Sequence, residues 1–429
     1  MKLYLIMILL FSGFVLNAQS LFEDALNSKN ENSNVTKTNA YELNGYLRGV
    51  FYGGKIPEKK EAEMKSGYSE VSMKIRVRKQ NIGDAFAEIR FRKGNEFDKT
   101  ISEVDIREAY VNLYSGQFDF RLGQQIVVWG RAEGLNPTNN ITPQNMFVSS
   151  PNEDDRNKGN FLLRSHYNFE PFRLEGICIP QFVPSISSTG TMSQLETDYP
   201  DANLKNCAVA MKLNLELASF DGSVSYFNGY NPSPGIHLDS IEVFSKAYRM
   251  HIAGVDFSAT SDSYGFRGEF AFRNPQDDYE KNIYIPNPDL QYVLGIDREF
   301  GDFNIILQYV GRFVVDFKEL KKPQNPEEIS QYEIALKNRM FSSQTNEISH
   351  AVSFRPLWNL MYETLTLEIF SLYNFTTEEL FFKPKLSYDL ADALTITVGG
   401  EYYTGPTGTL FDSIDETLSS VFIELKTSF

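Results

Sequence analysis

The amino-acid sequence predicts an all-β protein, a transmembrane antiparallel β-barrel of about 18 strands and at the fewest about 16. Three observations support this fold class: an apolar segment at the N-terminus, alternation of apolar and polar residues along the body, and a final strand that ends in Phe429. After residue 19 no stretch approaches the ~18 consecutive apolar residues of a spanning helix. Only strands could therefore cross a membrane, and they must close into a barrel because an open sheet edge leaves backbone groups unpaired in lipid.

The composition agrees with a barrel and argues against a nucleic-acid-binding protein. The chain has 429 residues, of which 42% are apolar and 14% aromatic, and its formal net charge is −15. A single barrel reaches this length as readily as two or three soluble domains do. An acidic chain repels phosphate backbones, so we expect no nucleic-acid partner.

The N-terminus has the pattern of a secretory signal peptide over residues 1–18. A lysine precedes an almost unbroken apolar stretch, and small residues near Ala18 mark a cleavage point. The alternative is a membrane anchor, but the stretch is shorter than the ~20 residues that a spanning helix needs. Residues 19–40 are polar and rich in asparagine, which predicts a periplasmic lead-in, so we expect the barrel to occupy residues 41–429.

The C-terminal strand predicts the location of the protein. Val421, Ile423, Leu425 and Phe429 share one face of an extended strand, and polar residues share the other face. A strand that ends in phenylalanine resembles the C-terminal signal of bacterial outer-membrane barrels. We therefore expect export to the outer membrane of a Gram-negative cell, with the barrel-assembly machinery, outer-membrane lipid and lipopolysaccharide as partners.

Segments in which apolar and polar residues alternate follow one another along the chain, and each is close to the length of a tilted membrane strand. The predicted strands are 41–53, 67–79, 84–93, 102–114, 117–128, 161–169, 171–181, 204–218, 221–230, 247–258, 263–273, 289–300, 302–316, 345–357, 361–373, 378–389, 393–403 and 417–429. Short turns should form the periplasmic rim: Asn81-Ile82-Gly83, Ser115-Gly116, Glu170, Ser219-Phe220, Gly301 and Leu390-Ala391-Asp392. Long extracellular connections should alternate with them: 54–66, 129–160, 182–203, 231–246, 274–288, 317–344 and 404–416.

The alternation also predicts what lines the lumen. Apolar residues of each strand must face lipid, because an outward Lys or Arg at the bilayer midplane costs about 2–4 kcal/mol. The residues at the alternate positions of each strand must then face the lumen. On the early strands they form a basic wall, made of Arg48, Lys74, Arg76, Arg78, Arg90, Arg92, Arg121, Arg164 and Arg173, together with Gln125. Two interpretations stay open: a wall that acts on solutes, and a structural network in which the cations pair with Glu88, Glu103, Asp105 and Glu175.

The connection 129–160 is the most distinctive segment of the chain. A loop of this length is uncommon unless it has a function, and in a wide barrel it can fold into the lumen. Glu153, Asp154 and Asp155 would then face the basic wall across a constriction, as in the eyelet of general diffusion porins. The alternative is an exposed surface loop.

Residues before the connection 129–160 and at its start resemble those of a known family. Arg107-Glu108-Ala109-Tyr110, then Leu122-Gly123-Gln124-Gln125 and Trp129-Gly130, resemble a porin-like family of proteobacterial and Bacteroidetes outer-membrane proteins, largely of unknown function. The match covers roughly residues 100–185, and elsewhere the chain matches only as a generic barrel. The resemblance implies an outer-membrane barrel with a role in transport or lipid-related export, and it supplies no substrate.

Catalytic and metal-binding chemistry has little support in the sequence. The four histidines, at positions 166, 237, 251 and 350, accompany no recognisable nucleophile motif, and no Cys/His cluster has metal-ligand spacing. Cys178 and Cys207 lie on predicted neighbouring strands, where they are either two small apolar residues or a disulfide. We therefore expect no enzyme, cofactor or metal.

These observations predict a porin-like channel for passive or substrate-selective passage of small polar or anionic solutes, either as a monomer or as a homo-oligomer. The first alternative is a transporter or exporter of hydrophobic compounds or lipids. The second is an outer-membrane enzyme, and the third is a barrel whose surface loops bind a partner.

Overall fold

The computed structural model describes residues 40–56, 61–79, 82–97, 99–186, 195–239 and 242–429. The predicted signal peptide and, apart from residue 40, the predicted lead-in lie outside the described residues. The predicted turn at Asn81 lies partly outside them as well.

Twenty-one strands are present in the part of the chain that the structure describes. They are β1 (Ala40–Lys55), β2 (Ala62–Lys79), β3 (Gly83–Glu96), β4 (Lys99–Ser115), β5 (Phe118–Gln125), β6 (Asn160–Phe169), β7 (Phe172–Ile179), β8 (Glu196–Asp198), β9 (Ala208–Glu216), β10 (Phe220–Tyr230), β11 (Gly235–Asp239), β12 (Glu242–Lys246), β13 (Arg249–Ser261), β14 (Tyr264–Pro275), β15 (Asp289–Phe300), β16 (Phe303–Val314), β17 (Ile348–Leu360), β18 (Leu365–Asn374), β19 (Glu379–Ala391), β20 (Leu394–Thr404) and β21 (Ser420–Ser428). All except β8, β11 and β12 belong to one sheet of 18 strands. The predicted fold class is confirmed, and each predicted strand overlaps one strand of this sheet.

The sheet closes on itself through its first and last strands. β1 pairs with β21 in antiparallel register, with Tyr46 opposite Ser428. Beyond the ladder, the backbone N–H of Gly45 donates to the Phe429 carbonyl over 2.9 Å, and the Phe429 N–H donates back over 3.0 Å. A Cβ atom at position 45 would lie 2.2 Å from the Ser72 carbonyl oxygen and 2.6 Å from the Phe429 ring, so only glycine fits this closure. A barrel closed in this way has no free sheet edge.

The connections separate into two rims. On one rim, connections of two to four residues join β2 to β3, β4 to β5, β6 to β7, β9 to β10, β13 to β14, β15 to β16, β17 to β18 and β19 to β20. On the other rim, the longest connections are 126–159, 180–207, 231–248, 276–288, 315–347 and 405–419. This is the predicted layout, with two differences on the long-loop rim. The predicted long connection 54–66 is only 56–61, because β1 and β2 extend further than predicted, and short connections join β3 to β4 and β18 to β19.

The two faces of the barrel wall differ as the alternation predicts. Large apolar side chains such as Leu47, Phe91 and Leu122 are exposed on the outside, whereas Arg48 and Glu70 are buried inside. An irregularity in strand pairing changes this pattern in β4. Glu88 pairs with Glu108 and Ile89 with Ile106, which leaves Arg107 as the extra residue of a β-bulge.

Structure within the long loops was not predicted from the sequence. β8, β11 and β12 form a small separate sheet. Helix α1 (Pro326–Phe341) begins with a proline. Proline suits the first helical position because an N–H there would have no acceptor within the helix. Helix α2 (Leu410–Leu418) follows Thr409, whose hydroxyl accepts the N–H of Asp412. Within the described ranges, no helix combines the length and the apolar character needed to cross a membrane.

Candidate pore constriction

The connection between β5 and β6, residues 126–159, crosses the lumen and contacts opposite walls of the barrel. Near its base the Thr142 hydroxyl accepts the Val127 N–H over 2.9 Å and donates to the Val127 carbonyl over 2.7 Å. This contact joins the outgoing and returning parts of the loop. The loop is therefore a folded element with two separate attachments, one to the early strands and one to the later strands.

The first attachment is made by Asp155, in a short 3₁₀ turn over Glu153–Arg156. The Asp155 carboxylate lies 2.9 Å from a guanidinium nitrogen of Arg48 and 2.8 Å from one of Arg90. It also accepts the Ser150 hydroxyl over 2.6 Å. Arg107, the bulge residue of β4, donates to the main-chain carbonyl of Asp155 over 3.3 Å.

These contacts continue into a buried ion-pair network on the first strands. Glu70 lies 2.7 Å from Arg48 and 2.8 Å from Arg92, and it accepts the Tyr46 hydroxyl over 2.7 Å. Arg48 also lies 3.2 Å from Glu424 of β21. The side chains of Arg48 and Glu70 are 3% and 1% exposed, so both charges are largely shielded from bulk water.

The second attachment is made to β14 by Glu269. Its carboxylate accepts the backbone N–H groups of Arg131 and Ala132, the latter over 2.6 Å, and the Thr138 hydroxyl over 3.0 Å. Gly130 makes this approach possible, since its φ is +103° and a Cβ there would lie 2.5 Å from the Glu269 carboxylate oxygen.

Further contacts fix the tip of the loop against the same wall. Glu133 bridges Arg267 and Arg355 over 2.6 and 3.0 Å. Gln308 of β16 pairs with the backbone of Glu133, accepting its N–H over 2.8 Å and donating to its carbonyl over 2.9 Å. Arg131 lies 2.6 Å from Asp256 of β13.

An apolar cluster fills the space between the loop and β6 to β14. Val127, Trp129 and Ile141 of the loop pack in one cluster with Leu162 and Phe227 of the wall. The cavity between Ile141 and Phe227 measures only about 20 Å³. Here the lumen is packed like a protein interior.

A larger cavity of about 750 Å³ lies on the other side of the loop and is called the inner cavity below. Its cationic lining residues are Arg48, Arg156, Arg273, Arg355, Lys383, Lys385 and Lys426, and its carboxylates are Glu133, Glu153, Asp154, Glu368 and Glu424. Glu70, Asp155 and Glu401 lie directly behind this lining as ion-pair partners of Arg48, Arg156 and Lys383.

The cations of the inner cavity come mainly from late strands. Lys383 lies 2.9 Å from Glu401 and 3.4 Å from Glu153 of the loop. Lys426 lies over the Tyr46 ring at 4.7 Å and has no carboxylate within ion-pair distance among the described residues.

The predicted wall residues occupy three kinds of position. Arg48, Arg90 and Arg92 are buried in the ion-pair network, and of the predicted set only Arg48, Glu153 and Asp154 line the inner cavity. Nearer the short-turn rim, the cations of three pairs are more exposed: Lys74 with Glu88 at 3.8 Å, Arg76 with Asp84 at 3.9 Å and Arg78 with Glu42 at 3.1 Å.

The remaining predicted residues have individual partners. Arg121 donates to the Asn112 side chain over 2.7 Å, and Arg164 lies 2.7 Å from Glu175. Gln125 is fully buried and donates to the Leu162 carbonyl over 3.0 Å, while Arg173 has a buried Nε without a hydrogen-bond partner among the described residues. Of the acidic partners considered, Glu88 and Glu175 form ion pairs, whereas Glu103 and Asp105 are exposed. The pore-lining role of the set stays a prediction.

Several residues that define the loop position were not singled out from the sequence. Glu269 and Lys383 are at inward-facing positions of their strands, but nothing in the sequence showed that the loop would reach them. Arg107 lies on a bulge, where parity gives no guidance, and only its place in the Arg107-Glu108-Ala109-Tyr110 motif set it apart.

The cysteines and histidines form no metal-binding cluster among the described residues. Cys178 and Cys207 are free thiols. His251 and His350 each contact a tyrosine hydroxyl, at 2.7 and 2.5 Å. In the loop sheet, burial and then the Lys246 ammonium lower the pKa of His237, which favours the neutral ring. No group of three or more His, Cys, Asp or Glu side chains in the described ranges could hold a metal ion.

Comparison with known proteins defines the class of fold. No protein-family model matches the sequence, and no curated protein matches it. The structure is similar to Acinetobacter baumannii OccAB3, with a TM-score of 0.56, 10% identity, and coverage of 91% of this chain and 99% of that one. It is also similar to the outer membrane protein OpdK from Pseudomonas aeruginosa, with a TM-score of 0.56, 7% identity, and coverage of 91% of this chain and 98% of that one. A BenF-like porin from Pseudomonas fluorescens Pf-5 is similar too, with a TM-score of 0.55, 8% identity, and coverage of 92% of this chain and 99% of that one. At these identities the likeness shows the fold alone: a closed barrel of 18 antiparallel strands, as in outer-membrane porins.

Proposed function

We propose that the protein is an outer-membrane channel of the porin type, which passes small polar or anionic solutes either passively or with substrate selectivity. The observation that carries the proposal is the inner cavity beside a loop that narrows the lumen, because two of its lining cations, Arg273 and Lys426, have no carboxylate within ion-pair distance among the described residues. Export would follow from a signal peptide cleaved near Ala18, and insertion from recognition of the Phe429 strand by the barrel-assembly machinery. Membership in the porin-like family with the Arg107–Tyr110 motif belongs to the same proposal.

The two unpaired cations of the inner cavity favour anions for a physical reason. A confined aqueous space with low-dielectric walls focuses the field of the groups that line it, so an excess of fixed positive charge raises the local anion concentration. The same residues repel small cations where the path is narrowest. The net charge of the whole chain, −15, matters less because most of it lies outside this space. One similar structure is that of OpdK with vanillate, a carboxylate, which is compatible with an anionic solute.

The test is a reversal-potential measurement in planar bilayers with a KCl gradient. We expect single-channel conductance, with a reversal potential whose sign shows that chloride is more permeant than potassium. Clear cation selectivity would contradict the anion preference, and the absence of any conductance from correctly folded protein would contradict the channel itself.

Export of hydrophobic compounds is less well supported by the contacts. The apolar part of the lumen is the cluster around Trp129, and its cavity of about 20 Å³ has no room for an acyl chain. The larger inner cavity is lined mostly by charged and polar residues. Lipid that co-purifies with a non-conducting protein would favour the exporter over the channel.

A further inference from the structure

A second cavity, called the outer cavity below, lies at the long-loop rim and is separate from the contacts that hold the constriction. It has a volume of about 340 Å³, which is at the lower end of the range for small-molecule sites. Inward-facing residues at the ends of β14, β15 and β16 form its floor. Helix α1 and the connection 276–288 form its cover.

The floor of the outer cavity holds an excess of positive charge. Arg273 and Arg312 both line this cavity. The carboxylate beside them is that of Asp289, 3.6 Å from Arg312, while Arg273 forms no ion pair with any described carboxylate. Two guanidinium groups and one carboxylate leave one uncompensated positive charge in a partly buried place, which is unfavourable without a further anion.

Three hydrogen-bond donors at this floor lack acceptors. The Nε of Arg273 and one terminal nitrogen of Arg312 are buried without a partner in the described part of the chain. The Tyr248 hydroxyl accepts from the Asn231 side chain over 2.6 Å, and its own proton has no acceptor among the described residues. Tyr248 lies within electrostatic range of both arginines. Unpaired buried donors are costly, so such a group of donors indicates a missing acceptor.

The number and arrangement of the donors indicate the shape of that acceptor. A carboxylate is planar and is best bound by the two parallel N–H groups of one guanidinium. Here the donors come from three different side chains, so a tetrahedral group that presents three oxygen atoms can accept from all of them. Tyr279, Tyr284 and Phe341 supply apolar walls for the rest of the ligand.

The cover of the outer cavity is held in place by side-chain contacts. The Asn338 side chain of α1 accepts the Ile236 N–H over 2.8 Å and donates to the carbonyls of Ile236 and Ile283 over 2.8 and 3.0 Å. Gln344 exchanges two hydrogen bonds of 2.9 Å with the backbone of Asn287. The site is therefore preformed, which reduces the entropic cost of binding.

We propose that the outer cavity binds a small organic phosphate or sulfate ester, whose tetrahedral oxyanion contacts Arg273, Arg312 and Tyr248. Arg273 also lines the inner cavity, as do Asn231 and Ser233, so the two spaces adjoin. A solute held at the mouth can pass from there to the inner cavity. This route rests on the proposed channel function, whereas binding at the mouth can be measured without conduction.

The experiment is calorimetric titration of the purified full-length protein in detergent with phenyl phosphate, phenyl sulfate, benzoate and uncharged benzamide. We expect one bound phenyl phosphate or phenyl sulfate per chain, with benzoate weaker by roughly tenfold and benzamide not bound. Arg312→Gln and Arg273→Gln should each weaken phenyl phosphate binding roughly tenfold or more. Tyr248→Phe, which removes only a hydroxyl, should weaken it less.

Arg249→Gln is the matched control, because Arg249 lies at the same rim but contacts Asn228 and the Cys207 carbonyl instead of the outer cavity. It should leave the affinity unchanged. Benzoate binding as tightly as phenyl phosphate would overturn the proposal, as would a loss of affinity in Lys383→Gln but not in Arg312→Gln, which would place the anion in the inner cavity. If the protein conducts anions but binds no phenyl phosphate, this inference fails and the channel stands; if it binds but does not conduct, the channel alone fails.

Discussion

The early and late walls of the lumen carry similar charged residues but use them differently. On β1, β2 and β3, Arg48, Arg90 and Arg92 are enclosed by Glu70, Asp155 and Glu424. On the later strands, Arg355 and Lys385 share Glu368 and stay 32% and 25% exposed beside the inner cavity. The early-wall cations are therefore buried in the contacts that hold the loop. Arg355 of the late wall also holds the loop, through Glu133, but it stays open to the inner cavity, through which we propose that the solute passes.

The difference shows that an inward cation does not by itself identify a selective residue. A buried guanidinium with two or three carboxylate partners holds the segments that carry them in place, because removing one partner leaves an uncompensated charge. A lysine with a hydrated ammonium adds to the field in the lumen and contributes little to stability. Variants that separate stability from selectivity can therefore test the assignment of each wall.

The largest effect is expected for Asp155→Ala. The change leaves Arg48 and Arg90 without a shared carboxylate, and breaking a buried pair in this way costs about 3–5 kcal/mol. The free energy of unfolding should fall by about this amount, and single-channel conductance should rise as the loop leaves the early wall. Asp154→Ala is the matched control, because the Asp154 side chain is exposed. Equal effects of the two variants would contradict a structural role for Asp155.

A smaller loss is expected for Gly130→Ala. The methyl group would lie 2.5 Å from the Glu269 carboxylate, at a φ that disfavours side chains. Gly134→Ala is the matched control: its φ is also positive, at +76°, but the nearest atoms to a Cβ there are 3.9 Å away. The control should lose only the conformational cost of about 1–2 kcal/mol. Gly130→Ala should lose more and should also increase conductance noise, and indistinguishable melting curves would rule out the contact with Glu269.

Lys426→Gln should change selectivity without changing stability. Lys426 lines the inner cavity and lies over the Tyr46 ring, but it has no ion-pair partner among the described residues. We expect the reversal potential in a KCl gradient to move towards zero, with a thermal unfolding curve like that of the wild type. A destabilised protein with unchanged selectivity would place Lys426 with the residues that hold the structure.

The smallest effect is expected for Lys74→Gln on the early wall. The Lys74 ammonium is 42% exposed and lies 3.8 Å from Glu88, and such a pair contributes about 0–1 kcal/mol. Neither the unfolding free energy nor the reversal potential should change measurably. A shift in reversal potential as large as that of Lys426→Gln would show that the early wall also lines the solute path.

The fold could be predicted from the sequence because lipid imposes a simple rule on every strand. Alternation places Leu122 outside and Arg121 inside wherever a strand crosses the membrane. The rule fails at the β4 bulge, where the extra residue Arg107 changes the parity. It also says nothing about the loops, so α1 and α2 were missed: they depend on contacts among the loops and not on the bilayer.

The partners within the site could not be predicted, because they are distant in the chain. Arg48 contacts residues 70, 155 and 424, which only barrel closure and the path of the loop bring together. The expected contact of the acidic turn with the basic wall appears as a contact of Asp155 with Arg48 and Arg90. On the opposite wall, Glu133 of the loop contacts Arg267 and Arg355, and Glu269 of β14 contacts the loop backbone. Both contacts depend on how far the loop reaches, which periodicity does not indicate.

The most direct test of the division between the two walls compares two double variants in the same KCl gradient. Lys385→Gln with Lys426→Gln removes two cations from the inner cavity, whereas Arg76→Gln with Arg121→Gln removes two inward cations that do not line it. The late-wall pair should abolish most of the anion preference, and the early-wall pair should leave most of it. A larger loss of anion preference in the Arg76 and Arg121 variant would contradict the assignment of the solute path to the late wall.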